Sequence, residues 1–353
     1  LTHFGGAKWD VAVAIDVDDQ GWVYVGGESI STDLPVNNGS FQQNLTNNLT
    51  RDGFIAKIGP AMDTLAWATY VGGNLNDHVR FLQVDANGSV YAAGDTESGD
   101  FPITNNSFQT VHDGAVDTFI LRMAANGSML EYSTFLGGSD RDYCEGFSVD
   151  DEGNACVVGS TISGNFPTMT GVLQEVLAGK FDTYLFRLAY DGATPLYATY
   201  LGGSEWDLAN GLAMDDGGFA YLVGATDSTD YPTTGGAYQE VHGGRVDVFI
   251  TKLDLFLDTE RPVSVPGTDM VVDQHDTVDF DGGASTDNVA VVNWTWEFTY
   301  HGTDEVIWGP TFNWTFHIAG KYYIYLTVRD AVGLYDTQWV SVFVNDTEFP
   351  FAE

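Results

Sequence analysis

The residues best able to do chemistry in this chain are its carboxylates, because 50 acidic side chains stand against 13 basic ones. Two sets of aspartates recur every 65 to 67 residues. The sets are Asp10, Asp77, Asp142 and Asp207, and Asp52, Asp117, Asp182 and Asp247. A short acceptor side chain at the same place in each repeat is typical of a residue that holds a turn. We therefore predict a structural role for both sets, since a repeated residue marks no unique active site.

Calcium binding is the alternative for acidic segments such as Asp16-Val17-Asp18-Asp19. Hard oxygen ligands cluster at Asp16 and Asp18, although no complete calcium-loop signature is present. Calcium is the one cofactor that the sequence predicts, and no catalytic cofactor is predicted.

Catalytic signatures are missing from the sequence. It contains no His-Glu-x-x-His, no Gly-x-Ser-x-Gly, no phosphate-binding loop and no Cys/His metal cluster. Its seven histidines are scattered without ligand spacing. A pair of glycosidase-type carboxylates among the acidic residues is not excluded by sequence. Because no residue set breaks the repeat symmetry, we predict a protein that is not an enzyme.

The two cysteines lie in one repeat only. Cys144 and Cys156 flank a predicted hairpin, so they fall on adjacent strands. A disulfide between them is predicted, and it suits an oxidising exterior. Two buried thiols are the alternative.

Three markers in one register define a repeat over residues 1–257. Gly-Gly pairs begin at Gly5, Gly72, Gly137 and Gly202, and a proline recurs at Pro35, Pro102, Pro167 and Pro232. The second aspartate set keeps the same register. Each repeat contains four strand-like runs, the first two of which are joined by a tight turn such as Asp85-Ala86-Asn87-Gly88. Four antiparallel strands per repeat, without helical periodicity, are typical of a propeller blade.

The repeat resembles the bacterial and archaeal β-propeller repeat abbreviated SBBP in all four copies. In the second copy the resemblance lies in Gly72-Gly73, Val84-Asp85, Asn87-Gly88, Val90-Tyr91, Phe101-Pro102, Asp117-Thr118-Phe119 and Tyr132-Ser133-Thr134-Phe135-Leu136-Gly137-Gly138. The resemblance implies a propeller on an exported protein and no single activity.

The fourth copy ends at 257 without the closing strand that the first three copies have. The segment Leu1-Thr2-His3-Phe4-Gly5-Gly6 matches that strand (compare 198–203). Because an unpaired edge strand invites aggregation, we predict a closed four-bladed β-propeller that the N-terminal strand completes. The alternative is an open arc in which this strand completes a neighbouring molecule.

Residues 258–345 lose the repeat register and look like a PKD domain, an immunoglobulin-like β-sandwich. The resemblance lies in the segments 278–288, 294–298, 319–323 and 326–330. Alternating polarity in 322–328 and 339–344 independently favours paired sandwich strands. The resemblance implies calcium near one end of the sandwich, at Asp281, Asp287 and Asp330. The predicted fold class is therefore all-β, a propeller followed by a sandwich.

The tail, residues 346–353, echoes the start of the PKD-like region. Asp346-Thr347-Glu348-Phe349-Pro350 repeats the pattern of Asp258-Thr259-Glu260-Arg261-Pro262. We expect the tail either to begin a further module or to act as a donor strand. The predicted assembly strands are Leu1, Thr2, His3 and Phe4 at one end and Phe349, Pro350 and Phe351 at the other.

A net charge of −37 argues against nucleic-acid binding, and no apolar stretch is long enough to span a membrane. Asn-x-Ser/Thr sequons occur at Asn38, Asn44, Asn48, Asn87, Asn105, Asn126, Asn293, Asn313 and Asn345. Asn-Gly-Ser is also ordinary turn chemistry, which accounts for Asn87 and Asn126 without a sugar. We predict a secreted glycoprotein at the cell surface.

The leading functional hypothesis is an extracellular structural subunit of a filament, a sheath, or an S-layer-like or adhesive assembly. Such a homopolymer would form by β-strand complementation and domain packing. The alternatives are a glycan- or protein-binding module, with the propeller face as the recognition surface, and the accessory part of a secreted hydrolase.

Overall fold

The computed structural model describes residues 1–215, 217–255, 260–287, 291–330 and 334–347. Every regular element in these ranges is a β-strand, which confirms the all-β prediction. These ranges contain no helix long and apolar enough to cross a membrane. The chain divides into two compact units, Leu1–Phe256 and Leu257–Glu353.

The first unit begins with three antiparallel four-stranded sheets, one per repeat, each with its strands in chain order. The first sheet is β1 (Asp10–Val17), β2 (Val23–Ser29), β3 (Asp52–Ile58) and β4 (Leu65–Val71). The second is β5 (Asp77–Val84), β6 (Val90–Thr96), β7 (Asp117–Met123) and β8 (Leu130–Leu136). The third is β9 (Asp142–Val149), β10 (Ala155–Thr161), β11 (Asp182–Leu188) and β12 (Pro195–Leu201).

The sheets pack face to face through apolar side chains. Ile55 of β3 lies in one buried cluster with Val79 and Leu82 of β5, and Ile120 of β7 shares a cluster with Cys144 of β9. We call the face of a sheet on the side of the preceding sheet its front face, and the face on the side of the following sheet its rear face. Because both faces of the second and third sheets are covered, every residue of strands β6 and β10 is buried.

The fourth sheet has three strands in the described residues: β13 (Asp207–Met214), β14 (Phe219–Thr226) and β15 (Asp247–Asp254). Residues 1–6 belong to no strand, so the prediction that they close a four-bladed ring within the chain is wrong. The physical reason is that the first and fourth sheets do not meet, because Ile15 of the first and Ile250 of the fourth are both exposed, and the segment contacts the first sheet. Phe4 packs on Phe54 with ring centroids 5.5 Å apart, and the Gly6 amide donates to Asp10 Oδ2 at 2.8 Å.

The second unit is an immunoglobulin-like sandwich, as predicted. Its strands are β16 (Met270–Asp273), β17 (Thr277–Asp281), β18 (Val291–Tyr300), β19 (Thr303–Trp308), β20 (Thr311–Thr315), β21 (Gly320–Asp330) and β22 (Tyr335–Asn345). A five-stranded sheet, β16-β22-β21-β18-β19, faces the pair β17-β20. Trp296, Phe280 and Leu326 are buried between them. The predicted assembly residues Phe349, Pro350 and Phe351 lie outside the described residues.

Candidate assembly site

The two recurring aspartate sets meet in pairs at the junctions between sheets. The first glycine of each Gly-Gly pair separates them, because a Cβ on Gly137 would lie 2.4 Å from Asp117 Oδ1 and 2.9 Å from Asp142 Oδ2. The glycines Gly72 and Gly202 have the same surroundings between Asp52 and Asp77 and between Asp182 and Asp207. A side chain at this glycine would collide with both carboxyl groups. The paired aspartates therefore require a glycine at the first position of these Gly-Gly pairs.

Each aspartate accepts hydrogen bonds that organise its junction. Asp142 is fully buried and accepts from the Gly138 amide at 2.8 Å, from Ser163 Oγ at 2.8 Å and from Thr161 Oγ1. Asp77 has the same three kinds of donor. This geometry gives the recurring aspartates a structural role, in keeping with their repetition.

Burial raises the pKa of these paired carboxyl groups. The pKa of Asp77 rises to about 7 and that of Asp117 to about 8. The pKa values of Asp52 and Asp182 rise to about 6 for the same reason. Hydrogen bonds from neighbouring donors oppose the rise without cancelling it, and the charge of Asp142 adds to it at Asp117.

We expect the first unit to lose stability as the pH rises from about 4 to about 8. A carboxyl group with a folded pKa above its unfolded value of about 3.9 binds more protons in the folded state over that interval, so the free energy of unfolding falls with pH. Urea unfolding at pH 5 and pH 8 measures the difference. Asp117→Asn should flatten the slope, whereas Asp19→Asn, an exposed control, should leave it unchanged. Equal or greater stability at pH 8 would contradict the prediction.

A glutamine that precedes the third strand forms a socket for the fourth strand in each complete sheet. Gln174 Oε1 accepts from the Gly202 amide at 3.0 Å, and the Gln174 amide donates to Thr199 Oγ1 at 3.0 Å. The Gln174 carbonyl accepts from the Tyr200 amide at 3.0 Å. Gln42 and Gln109 make the same three contacts in their sheets. The socket therefore binds the Thr hydroxyl of the closing strand and the main-chain amides of the following residue and of the first Gly.

Gln239 is the matching residue of the fourth sheet, and no described strand lies beside it. Its side chain already donates to Asp247 Oδ2 at 3.3 Å, as Gln174 does to Asp182. A groove of about 340 Å³ occupies the place of the missing strand, which we call the strand slot. Gln239, Tyr231, Phe249 and Thr251 are among the residues that line it.

The aromatic packing beside the slot lacks the ring that the closing strand supplies in the third sheet. In the third sheet, Phe166 packs on Tyr184 at 4.4 Å and on Tyr200 of the closing strand at 6.0 Å. In the fourth sheet, Tyr231 stacks on Phe249 at 4.9 Å. The position of Tyr200 corresponds to His3 in the N-terminal segment.

The N-terminal segment already has the geometry of a connection between sheets. The hydrogen bond from the Gly6 amide to Asp10 repeats the bond from Gly138 to Asp142, at 2.8 Å in both. The amides of Ala7 and Lys8 donate to Asp33 and Ser31, as their counterparts do in later repeats. Leu1, Thr2 and His3 are exposed ahead of this connection. They lie where the chain leaves a preceding sheet in the other repeats.

The predicted disulfide is wrong: Cys144 and Cys156 are free and fully buried. They lie on adjacent strands, but the register pairs Cys144 with Gly159 and Cys156 with Ser148. Three positions along β10 separate them by roughly 10 Å, beyond the Cα spacing of about 5.5–6 Å that a disulfide needs. Burial raises the pKa of the Cys156 thiol to about 12, so it is held as a neutral thiol.

The predicted calcium ligands are placed as follows. Asp16 Oδ2 accepts from the Val84 amide of the next sheet at 2.8 Å, and Asp18 accepts from the Gln20 and Trp22 amides of its hairpin turn. In the second unit Asp281 accepts a hydrogen bond from the Gly283 amide, and Asp330 accepts one from the Leu334 amide. Asp287 is half-buried. Within the described ranges no group of three or more His, Cys, Asp or Glu side chains is arranged to hold a metal ion. Calcium binding stays a prediction.

The sequon asparagines lie at the surface. Eight of the nine are exposed, and Asn345 is half-buried and donates to Asp273 at 2.9 Å. Exposure is a requirement for glycosylation, and their occupancy stays a prediction.

The sequence motifs above do not include the socket glutamines, although the sequence contains a signal for them. Gln42, Gln109, Gln174 and Gln239 are spaced 67, 65 and 65 residues apart, in the register of the Gly-Gly pairs.

The fold and the unfilled slot define a class: a stack of propeller-type sheets followed by an immunoglobulin-like sandwich. Residues 131–167 match the family of β-propeller repeats, and residues 259–344 match the PKD domain family. Both matches confirm the resemblances seen in the sequence, the first for one copy of the repeat.

Three solved structures are similar to the chain at low sequence identity and low TM-score. They are the extracellular domains of a hybrid two-component system (11% identity, TM-score 0.24) and of a one-component system (10%, 0.21) from B. thetaiotaomicron, and the eight N-terminal immunoglobulin domains of Down syndrome cell adhesion molecule (10%, 0.21). They cover 95%, 95% and 94% of this chain, which spans only 38%, 49% and 59% of theirs. No curated protein sequence matches the chain.

Proposed function

We propose that the protein is a non-enzymatic extracellular structural subunit that self-associates by β-strand complementation. The observation that carries the proposal is the strand slot beside β15, together with an unpaired N-terminal segment of matching sequence. A second copy supplies Leu1–Phe4 as the fourth strand of the fourth sheet. An extracellular setting is supported by the PKD match and by exposed sequons.

The complete sheets fix the register of the donated strand. In the first sheet Val71 pairs with Gly53, Tyr70 with Phe54 and Thr69 with Ile55. By the same register, Phe4 of the second copy pairs with Val248, His3 with Phe249 and Thr2 with Ile250. The Gly5 amide then reaches Gln239 Oε1, and the His3 amide reaches the Gln239 carbonyl. Main-chain hydrogen bonds provide affinity in such additions, and the side chains provide register.

The test compares two substitutions at His3 in the full chain. His3→Pro removes the amide that the socket needs and should abolish association, whereas His3→Ala keeps the amide and should retain it. Sedimentation velocity over a range of protein concentrations measures both variants beside the unchanged chain. We expect at least a tenfold weaker association for His3→Pro.

Folding and charge provide the controls for this test. At a protein concentration where all three proteins are monomeric, their unfolding midpoints in urea should be the same, because residues 1–3 pair with no described strand. A net charge of −37 per copy makes the copies repel each other, so association should strengthen with added salt. An unchanged chain that stays monomeric at high concentration with salt and calcium present would refute the proposal, as would assembly of His3→Pro at the unchanged strength.

A binding module is a second candidate, favoured by the outer face of the five-stranded sheet in the second unit. Tyr323 and Trp339 are exposed there with ring centroids 5.1 Å apart, and Tyr325 is the register neighbour of Trp339. Tyr323 and Tyr325 line a groove of about 480 Å³ together with Glu297 and Lys321. Exposed rings among polar groups suit stacking on sugar rings. A glycan array with one saturable hit that Trp339→Ala removes would favour this function.

A further inference from the structure

The two end faces of the sheet stack are the front face of the first sheet and the rear face of the fourth. An inference from them rests on the proposed function and extends it. The rear face of the fourth sheet is apolar and exposed, although the same positions are buried in the other sheets. Ile250 is 81% exposed, whereas its counterparts Ile55, Ile120 and Leu185 are 0% exposed. Val248 is 71% exposed, and its counterpart Thr183 is 0% exposed. The rear face of the fourth sheet therefore has the apolar side chains of a buried face.

The front face of the first sheet shows the same contrast. Ile15 is 69% exposed, whereas its counterpart Leu82 in the second sheet is 8% exposed. Ala12 is also exposed, and its counterparts Val79, Cys144 and Ala209 are buried. Exposed apolar patches of this kind mark interaction surfaces.

Side-chain sizes at the two ends are complementary. At the junction of the first two sheets, small Gly26 on the rear face meets Val79 and Leu82 on the front face: a Cβ on Gly26 would lie 2.7 Å and 2.9 Å from their side chains. At the junction of the third and fourth sheets the sizes are reversed, with Val158 on the rear face and Ala209 on the front face.

The free ends repeat this second arrangement. Val223 takes the rear-face position of Val158, and Ala12 takes the front-face position of Ala209. Ile15 and Leu212 occupy the next front-face position, so a large aliphatic side chain follows the alanine in both cases. The two ends of one chain therefore have the residues of a junction that the same chain already forms internally.

We propose that the first sheet of a second copy stacks on the fourth sheet as the next sheet of the series. The donated strand and the stacked face are then one continuous contact, because Gly5 and Gly6 join them as Gly202 and Gly203 do within the chain. Asp10 of the second copy lies across Gly5 from Asp247, which completes the paired aspartates. The contact is head-to-tail, and a heterologous contact of this kind generates rings or filaments.

Cysteine crosslinking tests the stacked face. Chains carrying Ile15→Cys, lengthened by a C-terminal tag, are mixed with untagged chains carrying Val223→Cys under mild oxidation. We expect the mixed disulfide of intermediate mass to be the main crosslinked product. The native Cys144 and Cys156 are fully buried and stay unreactive.

Val13→Cys is the matched control for Ile15→Cys. Val13 is 61% exposed on the same strand, but its counterparts are polar at every internal junction: Arg80 and Asn210 are exposed and Glu145 is half-buried. Val13→Cys mixed with Val223→Cys should therefore give little mixed product.

The outcomes separate the stacked face from strand complementation. If the unchanged chain associates, His3→Pro does not, and Ile15→Cys crosslinks no better than Val13→Cys, then stacking is overturned while complementation stands. If the unchanged chain never associates, both fail. A mixed disulfide specific to Ile15→Cys that is lost when His3→Pro is added supports the continuous contact.

Discussion

Replacing Gly94 with alanine is expected to cost the first unit about 3 kcal/mol or more in free energy of unfolding. Gly94 lies in β6 opposite Val79, where the register of β5 shifts before Phe81. A Cβ at this position would lie 1.8 Å from the backbone oxygen of His78 and 3.0 Å from the Arg80 nitrogen. Because both obstacles are backbone atoms, relief requires loss of the β5–β6 pairing.

Gly99→Ala is the control for this change. Gly99 lies five positions further along, in the loop after β6, and a Cβ there would have no neighbour within 4 Å. We expect it to alter stability by less than about 0.5 kcal/mol. Urea unfolding followed by circular dichroism compares both variants with the unchanged chain. Equal midpoints for Gly94→Ala and Gly99→Ala would contradict the bulge as the cause.

The same bulge recurs in the other sheets and gives the repeat one of its fixed glycines. Added Cβ atoms on Gly27, Gly159 and Gly224 would lie 1.9 Å, 1.8 Å and 2.2 Å from backbone oxygens of the preceding strand. A bulge bends a strand and increases its twist. We infer that it shapes the first strand of each sheet to fit the sheet before it, and thus shapes the exposed front face of the first sheet.

Local features of the fold could be predicted from the sequence because short-range chemistry determines them. The hairpin after β1 follows from Asp18, which accepts amides of its own turn, and from Gly21 with φ of 81°. The Gly-Gly and Asp registers predicted four repeats of similar build. These signals act within a few residues or recur at a fixed spacing, so a single sequence displays them.

Long-range features could not be predicted in the same way. The sequence match of Leu1–Gly6 predicts a closing strand, but not the molecule that it closes. That depends on the rotation from sheet to sheet, which accumulates over the whole stack. The disulfide prediction failed for a related reason: Cys144 and Cys156 lie on adjacent strands, but the register of β9 and β10 places them three positions apart. The socket role of Gln239 needed the partner contacts of its three counterparts.

Asp142→Ala is expected to destabilise the first unit by about 3–5 kcal/mol, because three buried donors lose their acceptor. The Gly138 amide, Thr161 Oγ1 and Ser163 Oγ all bond to this one carboxyl group, and Asp142 is 0% exposed. Ser163→Ala in the same chain should make the loss smaller than the sum of the two single changes, since it removes one stranded donor. Urea unfolding of the four members of this double-mutant cycle measures the coupling, and strict additivity would contradict the assigned role.

Asp10→Ala removes the same kind of acceptor at the free end of the stack, where the donors are the Gly6 amide, Ser29 Oγ and Ser31 Oγ. Asp10 is only half-buried, so water replaces it and the monomer should lose only about 1 kcal/mol. Ser29 and Ser31 are already buried, but association would also bury the half-exposed Asp10 and Gly6 against the fourth sheet of another copy. Asp10→Ala should therefore weaken association more than it weakens folding. Sedimentation velocity and urea unfolding on the same preparation give both quantities. If the variant unfolds as readily as Asp142→Ala, or associates like the unchanged chain, then the front face of the first sheet does not bind the fourth sheet of another copy.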